Sequence, residues 1–412
     1  MWRSLPFILL YPGFFAYHFG ALNGWIPLFV GGYINEASAA ICVSLALVWS
    51  VQLLTGKPFA FRWSKIDGCF AVFMGWFAGV ILLNAVFLTA PGVTKNHVAS
   101  WLQLLACYLA TRFAAFQEIR KLLLFLVCIF SVSVLWAFQN DQLRELVAFS
   151  AQKSVATYQD LARAYLVTAA FGLAVQTRRI FRWSGYLLTV FVLFLIGARS
   201  EVVGSIILFV IMEVAISRRP ATIAVGVAAV AFLSIVLALS AMDVLLDLFP
   251  GNRSLFLLLE GKGDMSVVER DINLGLAWDA IINSPLLGDY GHYEKVASAG
   301  SYAHNWVSVW VDLGIVGLVL FIGIYAFAVR QVYATRRRVF AIVSSCEQPL
   351  IGLSFGWLAM MVILILFAKQ FTDNGTAILV GLIASIWQQN IAKSNGGNIG
   401  VTHVIIKQGT PL

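Results

Sequence analysis

Three stretches of this 412-residue chain carry side chains suited to holding an anion and moving a proton. In LIGARSEVVG, Arg199 and Glu201 stand between two apolar runs. Further along, Ser266 followed by Glu269 has the Ser-x-x-Glu spacing that opens helices, because each side chain satisfies a free amide of the first turn. Arg270 lies in the first turns of that helix. In SYAHNWVSVW, Tyr302, His304 and Asn305 directly precede another apolar run. Guanidinium groups grip pyrophosphate oxygens through paired, charge-assisted hydrogen bonds, and a neutral imidazole accepts a proton from a hydroxyl. Two arginines and a histidine in one place would therefore suit a phosphorylated substrate and a hydroxyl beside it. Each residue also has a plainer reading. Arg199 can snorkel to water or pair with Glu201, Arg270 can pair with Glu269 or Asp271, and His304 can be an interfacial anchor.

The elements that must position these residues are set by composition. Hydrophobic residues make up 60% of the chain and charged residues 12%, against roughly 25% charged in soluble domains. A water-soluble fold could not hide that much apolar surface. The expected fold class is all-α, a polytopic transmembrane bundle of about twelve helices, each needing about 20 apolar residues to cross. The runs extend approximately over Leu5 to Phe29, Ala37 to Leu54, Gly68 to Leu88, Val98 to Ala115, Leu122 to Phe138 and Leu161 to Val175. They continue over Trp183 to Ala198, Val202 to Ser217, Ala221 to Leu245, Leu313 to Val332, Pro349 to Phe367 and Thr376 to Ile391. Pro12 and Pro27 make the first irregular. The runs flanking Arg199 are short for a crossing, so their hairpin dips toward the hydrocarbon boundary. At a helix centre a charge costs about 2.5–3.5 kcal/mol, and such residues tend to line cavities.

Residues 1–392 read as one membrane domain. Within it, 246–312 form a large outer loop between the ninth and tenth helices, and 393–412 form a mobile tail rich in Gly and Asn. Inside the loop, Val268, Ile272 and Leu276, with Leu274, Trp278, Ile281 and Ile282, give a helical apolar face; Asn283 and Pro285 end it. The N-terminal apolar stretch lacks a cleavage signal and reads as a retained first helix.

The net charge of +8 reflects topology. With Met1 inside, Lys57, Arg62, Lys65, Arg112, Arg120, Lys121, Arg178, Arg179, Arg182, Arg218 and Arg219 fall in cytoplasmic turns. So do Arg330, Arg336, Arg337, Arg338 and the terminal Arg3, Lys393 and Lys407, as the Lys and Arg excess of such turns requires. Both termini are then cytoplasmic. Lys95, Arg144, Lys153, Arg163, Arg199, Arg253, Lys262, Arg270, Lys295 and Lys369 remain outside, against the bias. No basic run interleaved with polar residues offers nucleic acid a patch. The five cysteines lie mostly in apolar runs without close pairs, which argues for neither disulfides nor metal, and the outer loops lack clustered carboxylates for magnesium.

On these residues the chain resembles the bacterial O-antigen polymerase and ligase superfamily, which includes protein O-oligosaccharyltransferases. The likeness rests on the helix layout, the late outer loop, the His304–Asn305 pair ahead of Gly314 and Gly317, the series Arg270, Trp278, Pro285 and Gly288, and the GARSEVVG hairpin with Arg199. It covers about Trp183 to Val332. The resemblance implies inverting glycosyl transfer, without metal or cofactor, from an undecaprenyl-pyrophosphate-linked glycan at the periplasmic face of the bacterial inner membrane. Under it, Arg199 and Arg270 hold the donor pyrophosphate, His304 deprotonates or positions the acceptor hydroxyl, and Asn305 and Tyr302 help bind substrate. Its partners are the polyprenyl-linked donor, a glycan or lipid-linked acceptor, the bilayer, and a chain-length regulator protein as a candidate. The short segment between Arg270 and His304 favours a polymerase over a ligase acting on lipid A-core or protein. A flippase or transporter for a lipid-linked glycan is the alternative of another class, although transporters place polar groups near the midplane and the unusual charges here sit in outer loops.

Overall fold

A computed structural model describes residues 2–27, 33–55, 62–87, 90–140, 158–217, 219–249, 255, 265–296, 303–342 and 348–404. Every element among them is helical: α1 (Leu5–Ile8), α2 (Phe14–Leu22), α3 (Tyr33–Leu54), α4 (Lys65–Phe87), α5 (Pro91–Phe113), α6 (Arg120–Gln139), α7 (Tyr158–Ala174) and α8 (Arg179–Ile196). There follow α9 (Arg199–Ile216), α10 (Pro220–Ser240), α11 (Met242–Leu248), α12 (Met265–Asn283), α13 (His292–Val296), α14 (Val307–Ile342), α15 (Gln348–Phe367) and α16 (Asn374–Val404). The predicted irregularity at Pro12 is a π-helical turn, Leu9–Gly13, joining α1 to α2. Proline lacks the amide that would close the ladder and crowds the carbonyl four residues back; nearby, the freed Leu9 carbonyl takes the Tyr33 hydroxyl at 3.0 Å.

Among the described residues, six helices are long and apolar enough to cross a membrane: Tyr33–Gln52, Lys65–Phe87, Arg120–Gln139, Arg179–Ile196, Val307–Arg336 and Pro349–Phe367. The more polar helices lie inside. In α7 every residue from Leu161 to Ala174 except Arg163 is buried, and in α16 the stretch 375–386 is buried throughout. A helix surrounded by protein needs no lipid-facing stripe and tolerates polar residues that an outer helix could not.

The closest helix pair sets the site. Antiparallel α9 and α15 meet backbone to backbone, because Gly352 and Gly356 lie against Met212 and Leu208 and a Cβ on either would strike those residues' carbonyls. Small residues four apart are a common route to close packing between membrane helices. Gly204 meets Met360 and Leu364 in the same register, so the start of α9 comes to the end of α15.

The segment ahead of the last three helices is stitched down rather than loose. Gly314 breaks α14 with φ 67° and ψ −173°, a conformation that side chains resist. Into the break fits the turn after α12: the Ile315 amide donates to the Leu286 carbonyl (3.1 Å) and the Asp289 amide to the Val311 carbonyl (2.8 Å). Trp310 Nε1 donates to the Pro285 carbonyl (2.7 Å) and Trp76 Nε1 to the Leu313 carbonyl (3.0 Å). The break thus falls at the start of the run expected over Leu313 to Val332.

α12 starts one residue before the predicted Ser266, and it packs through part of the predicted face. Asn273, Ala277, Ala280 and Ile281 are buried, with the apolar ones against Val307 and Val311. Of the predicted apolar face, Leu274, Leu276 and Ile281 pack there too, while Val268, Ile272, Trp278 and Ile282 are exposed. Two alanines let α12 approach α14 closely, and those four residues turn outward.

Candidate functional site

The GARSEVVG hairpin is a two-residue connection. Gly197 closes α8 in the left-handed conformation (φ 79°), its amide shared between the Leu193 (3.1 Å) and Phe194 (3.0 Å) carbonyls, a glycine-favoured helix stop. Buried Ala198 follows, and Arg199 is the first residue of α9. Glu201 lies in that first turn, where free amides favour a carboxylate.

Glu201 is fully buried, and the residues that hold it come from distant parts of the chain. Its Oε1 accepts from Arg163 (3.0 Å) and from Lys369 Nζ (3.0 Å), and its Oε2 from the Ser200 hydroxyl (2.6 Å). Arg163 donates its other terminal nitrogen to Asp373 Oδ1 (2.8 Å), which also accepts the Gly375 amide (2.8 Å) and so caps α16. The pairing of Glu201 with Arg199 that the sequence suggested gives way to this network. Burial works against the Lys369 ammonium, but the Glu201 carboxylate beside it raises its pKa above the usual lysine value.

His304 is fixed from both sides. The preceding Ala303 amide donates to the Tyr293 hydroxyl (3.1 Å). The following Asn305 caps α14: its Oδ1 accepts the Val307 amide (3.1 Å) and its carbonyl the Ser308 hydroxyl (2.8 Å). Asn305, expected among the substrate-binding groups, thus has its side-chain oxygen committed to the backbone. Ser308 Oγ in turn accepts the Phe371 amide (3.3 Å), tying this corner to the Lys369–Asp373 turn. Tyr302 lies outside the described residues.

Burial, then the charges of Arg270 and Lys369, lower the His304 pKa from 6.5 to about 4. Those two cations therefore share its neighbourhood, and its imidazole is neutral at pH 7. Arg270 is half-buried between the exposed Glu269 and Asp271, and its Nε is buried without a hydrogen-bond partner. Arg199 is half-buried two residues before Glu201 on the same helix turn; position, rather than a direct contact with His304, links it to the others. Among the described residues, Arg163, Arg270 and Lys369 outnumber Glu201 and Asp373 by one charge. A buried excess of positive charge is costly, and it suits an anion.

A second polar cluster anchors the same segment. Glu294 accepts the Gly92 (3.1 Å) and Val93 (2.9 Å) amides at the start of α5. His97 Nδ1 meets the Tyr290 hydroxyl at 3.2 Å and its Nε2 stands 3.8 Å from Asp312. Asp312 also accepts the Gly291 amide (3.4 Å).

Arg163, Lys369 and Asp373 were not singled out from sequence. Two of them carried a signal as basic residues on the wrong side of the charge bias, but nothing local pairs residues 163, 201 and 369. A scan against protein-family models finds no match, and a search of curated proteins finds no relative.

Proposed function

We propose that the chain is a membrane glycosyltransferase that polymerises polyprenyl-pyrophosphate-linked oligosaccharide units at the periplasmic face of a bacterial inner membrane. In this reading its twelve runs all cross, and both termini are cytoplasmic. The observation that carries it is the cationic excess around His304. Arg270 and Arg199 grip the donor pyrophosphate, with Lys369 beside them. The departing pyrophosphate gains negative charge at the transition state, so cations fixed beforehand favour cleavage of the anomeric C–O bond. The acceptor oxygen forms the new bond from the opposite face, inverting the centre, and its proton goes to His304.

A pKa near 4 makes His304 a weak base. A pyrophosphate offsets the charges of Arg270 and Lys369, the causes that come after burial, and so raises that pKa in part.

Purified protein supplied with a lipid-pyrophosphate oligosaccharide tests the reading. A ladder formed from the donor alone is the expected result, and it should survive a metal chelator. Product only with a lipid-core or protein acceptor would make the chain a ligase. Absence of transfer in both cases would favour a transporter.

A further inference from the structure

A cavity of about 320 Å³ opens on the flank of the bundle between α14 and α15, lined by Trp306, Phe321, Ile322, Tyr325, Val362 and Leu366, with Ile365 behind them. That volume is at the low end of the roughly 300–1,000 Å³ typical of ligand sites. Its lining is apolar, and Tyr325 contributes a ring, since its hydroxyl is engaged with Thr376 Oγ1 (2.9 Å). Ile322 (54%), Leu366 (44%) and Val362 (36%) are exposed at its mouth, on two helices long and apolar enough to cross a membrane. The mouth therefore faces hydrocarbon.

The groove exists because of the break at Gly314. In a straight helix Trp306 and Phe321 would lie about 22 Å apart along the axis, too far to line one small cavity. The turn at Gly314 brings Trp306 alongside the later part of α14. It also places the groove next to the charges: Trp306 is two residues after His304, and Leu366 is three before Lys369. Apolar groove and cationic site share one rim.

We infer that this groove holds the first segment of the hydrocarbon tail of a lipid whose anionic head sits at Arg270, His304 and Lys369. The inference rests on the donor reading above and adds to it where the lipid enters: sideways from the bilayer, between α14 and α15. Continuity between groove and charges favours such a lipid over a bulk acyl chain, because a chain fixed there must end in a group that satisfies cations. From Val362 to Leu366 is only about 6 Å of helix, so the groove takes the head-proximal units and leaves the remainder of the tail in the membrane.

The test is photo-crosslinking of the full chain in phospholipid nanodiscs, using polyprenyl pyrophosphate with a diazirine in the unit nearest the head. Expected are adducts on α14 or α15 peptides that contain groove residues, competed by unlabelled polyprenyl pyrophosphate and not by added phospholipid. Adducts elsewhere, or adducts competed equally by phospholipid, would overturn the inference. A kinetic arm uses Ile322→Trp, or Leu366→Phe where the first fails to insert. It should raise KM for a long-chain donor about tenfold and leave kcat/KM for a short-chain, water-soluble donor unchanged; equal effects on both, or none, would overturn it. Crosslinking needs no transfer, so a wild type inert toward every donor would remove the transferase reading and still leave the groove to be judged by its adducts.

Discussion

Two buried arginine–glutamate clusters lie at opposite ends of α8 and α9, and they differ in where the cation beyond the ion pairs sits. At one end Arg182 faces Glu213 with two bonds, Nε to Oε1 at 2.7 Å and the terminal nitrogen to Oε2 at 3.2 Å. Its remaining nitrogen reaches the Gln176 (3.1 Å) and Thr177 (3.4 Å) carbonyls, and Glu213 also accepts the Tyr186 hydroxyl (2.9 Å). At the other end Glu201 is shared by Arg163 and Lys369, Arg163 also holds Asp373, and Arg270 and Lys369 both act on His304. The first cluster fastens two helices, and its extra cation, Arg179, 3.7 Å from Glu213, is mostly exposed to solvent. The second keeps its extra cation, Arg270, half-buried near His304, with a buried Nε that has no hydrogen-bond partner. Burial and pairing alone would not distinguish them; the place of the extra cation does.

The sharpest way to break this comparison is to remove the surplus. Arg270→Ala should reduce glycan transfer by about 10²–10³-fold, the usual loss of a fixed transition-state donor, with the melting temperature unchanged. Arg199→Ala and His304→Ala should also abolish transfer in normally inserted protein, and full activity in all three would remove the proposed site. Next comes Arg182→Met, which strands Glu213 in a buried place. It should lower stability by about 3–5 kcal/mol, read from thermal unfolding in detergent, while the protein that remains folded keeps its specific activity. The inverse pattern in these two variants would mean the clusters have been assigned the wrong way round.

A smaller effect separates charge from geometry. Arg270→Lys retains the charge and loses the two-pronged donor, so transfer should drop about tenfold or more; an unchanged rate would mean simple attraction suffices. Smallest is a shift in pH dependence. His304 has its pKa lowered from 6.5 to about 4, so its neutral form in the donor-free protein, and kcat/KM, which reports the free enzyme, should hold from pH 8 down to about 5. Because the folded pKa lies below the unfolded one, protons bind the unfolded chain first, and His304 subtracts from stability as pH falls from 6.5 toward 4. Lys369→Met removes one of the cations that depress it, so the acid limb of the donor-free protein should move upward, followed by the imidazole NMR signal.

Much of the architecture was legible because apolar length needs no partner. The predicted runs from Gly68 to Leu88 and from Pro349 to Phe367 coincide closely with α4 and α15. The hairpin in GARSEVVG was legible too, although its first helix stops at Gly197, inside the run expected to reach Ala198. The apolar face of α12 was legible as a face, but the part of it that meets α14 was not, because Ala277 and Ala280 share that contact with Ile281. Asn305 has a further role that its place explains: an Asn two residues ahead of an apolar helix is a natural cap, and its oxygen is used as one. Arg270 and His304 were visible as types out of place, but their shared neighbourhood with Lys369 was not. That neighbourhood comes from the glycine-mediated register of α9 on α15 and from the turn at Gly314, both set by contacts between segments far apart in the chain.

The most direct measurement is the affinity of the chain in nanodiscs for polyprenyl pyrophosphate without a sugar, compared between wild type and Arg270→Ala. The account predicts saturable binding, competed by inorganic pyrophosphate and weakened at least tenfold by the substitution. Equal affinity in the two proteins, or no binding to wild type, would contradict the claim that the surplus cations around His304 form an anion site.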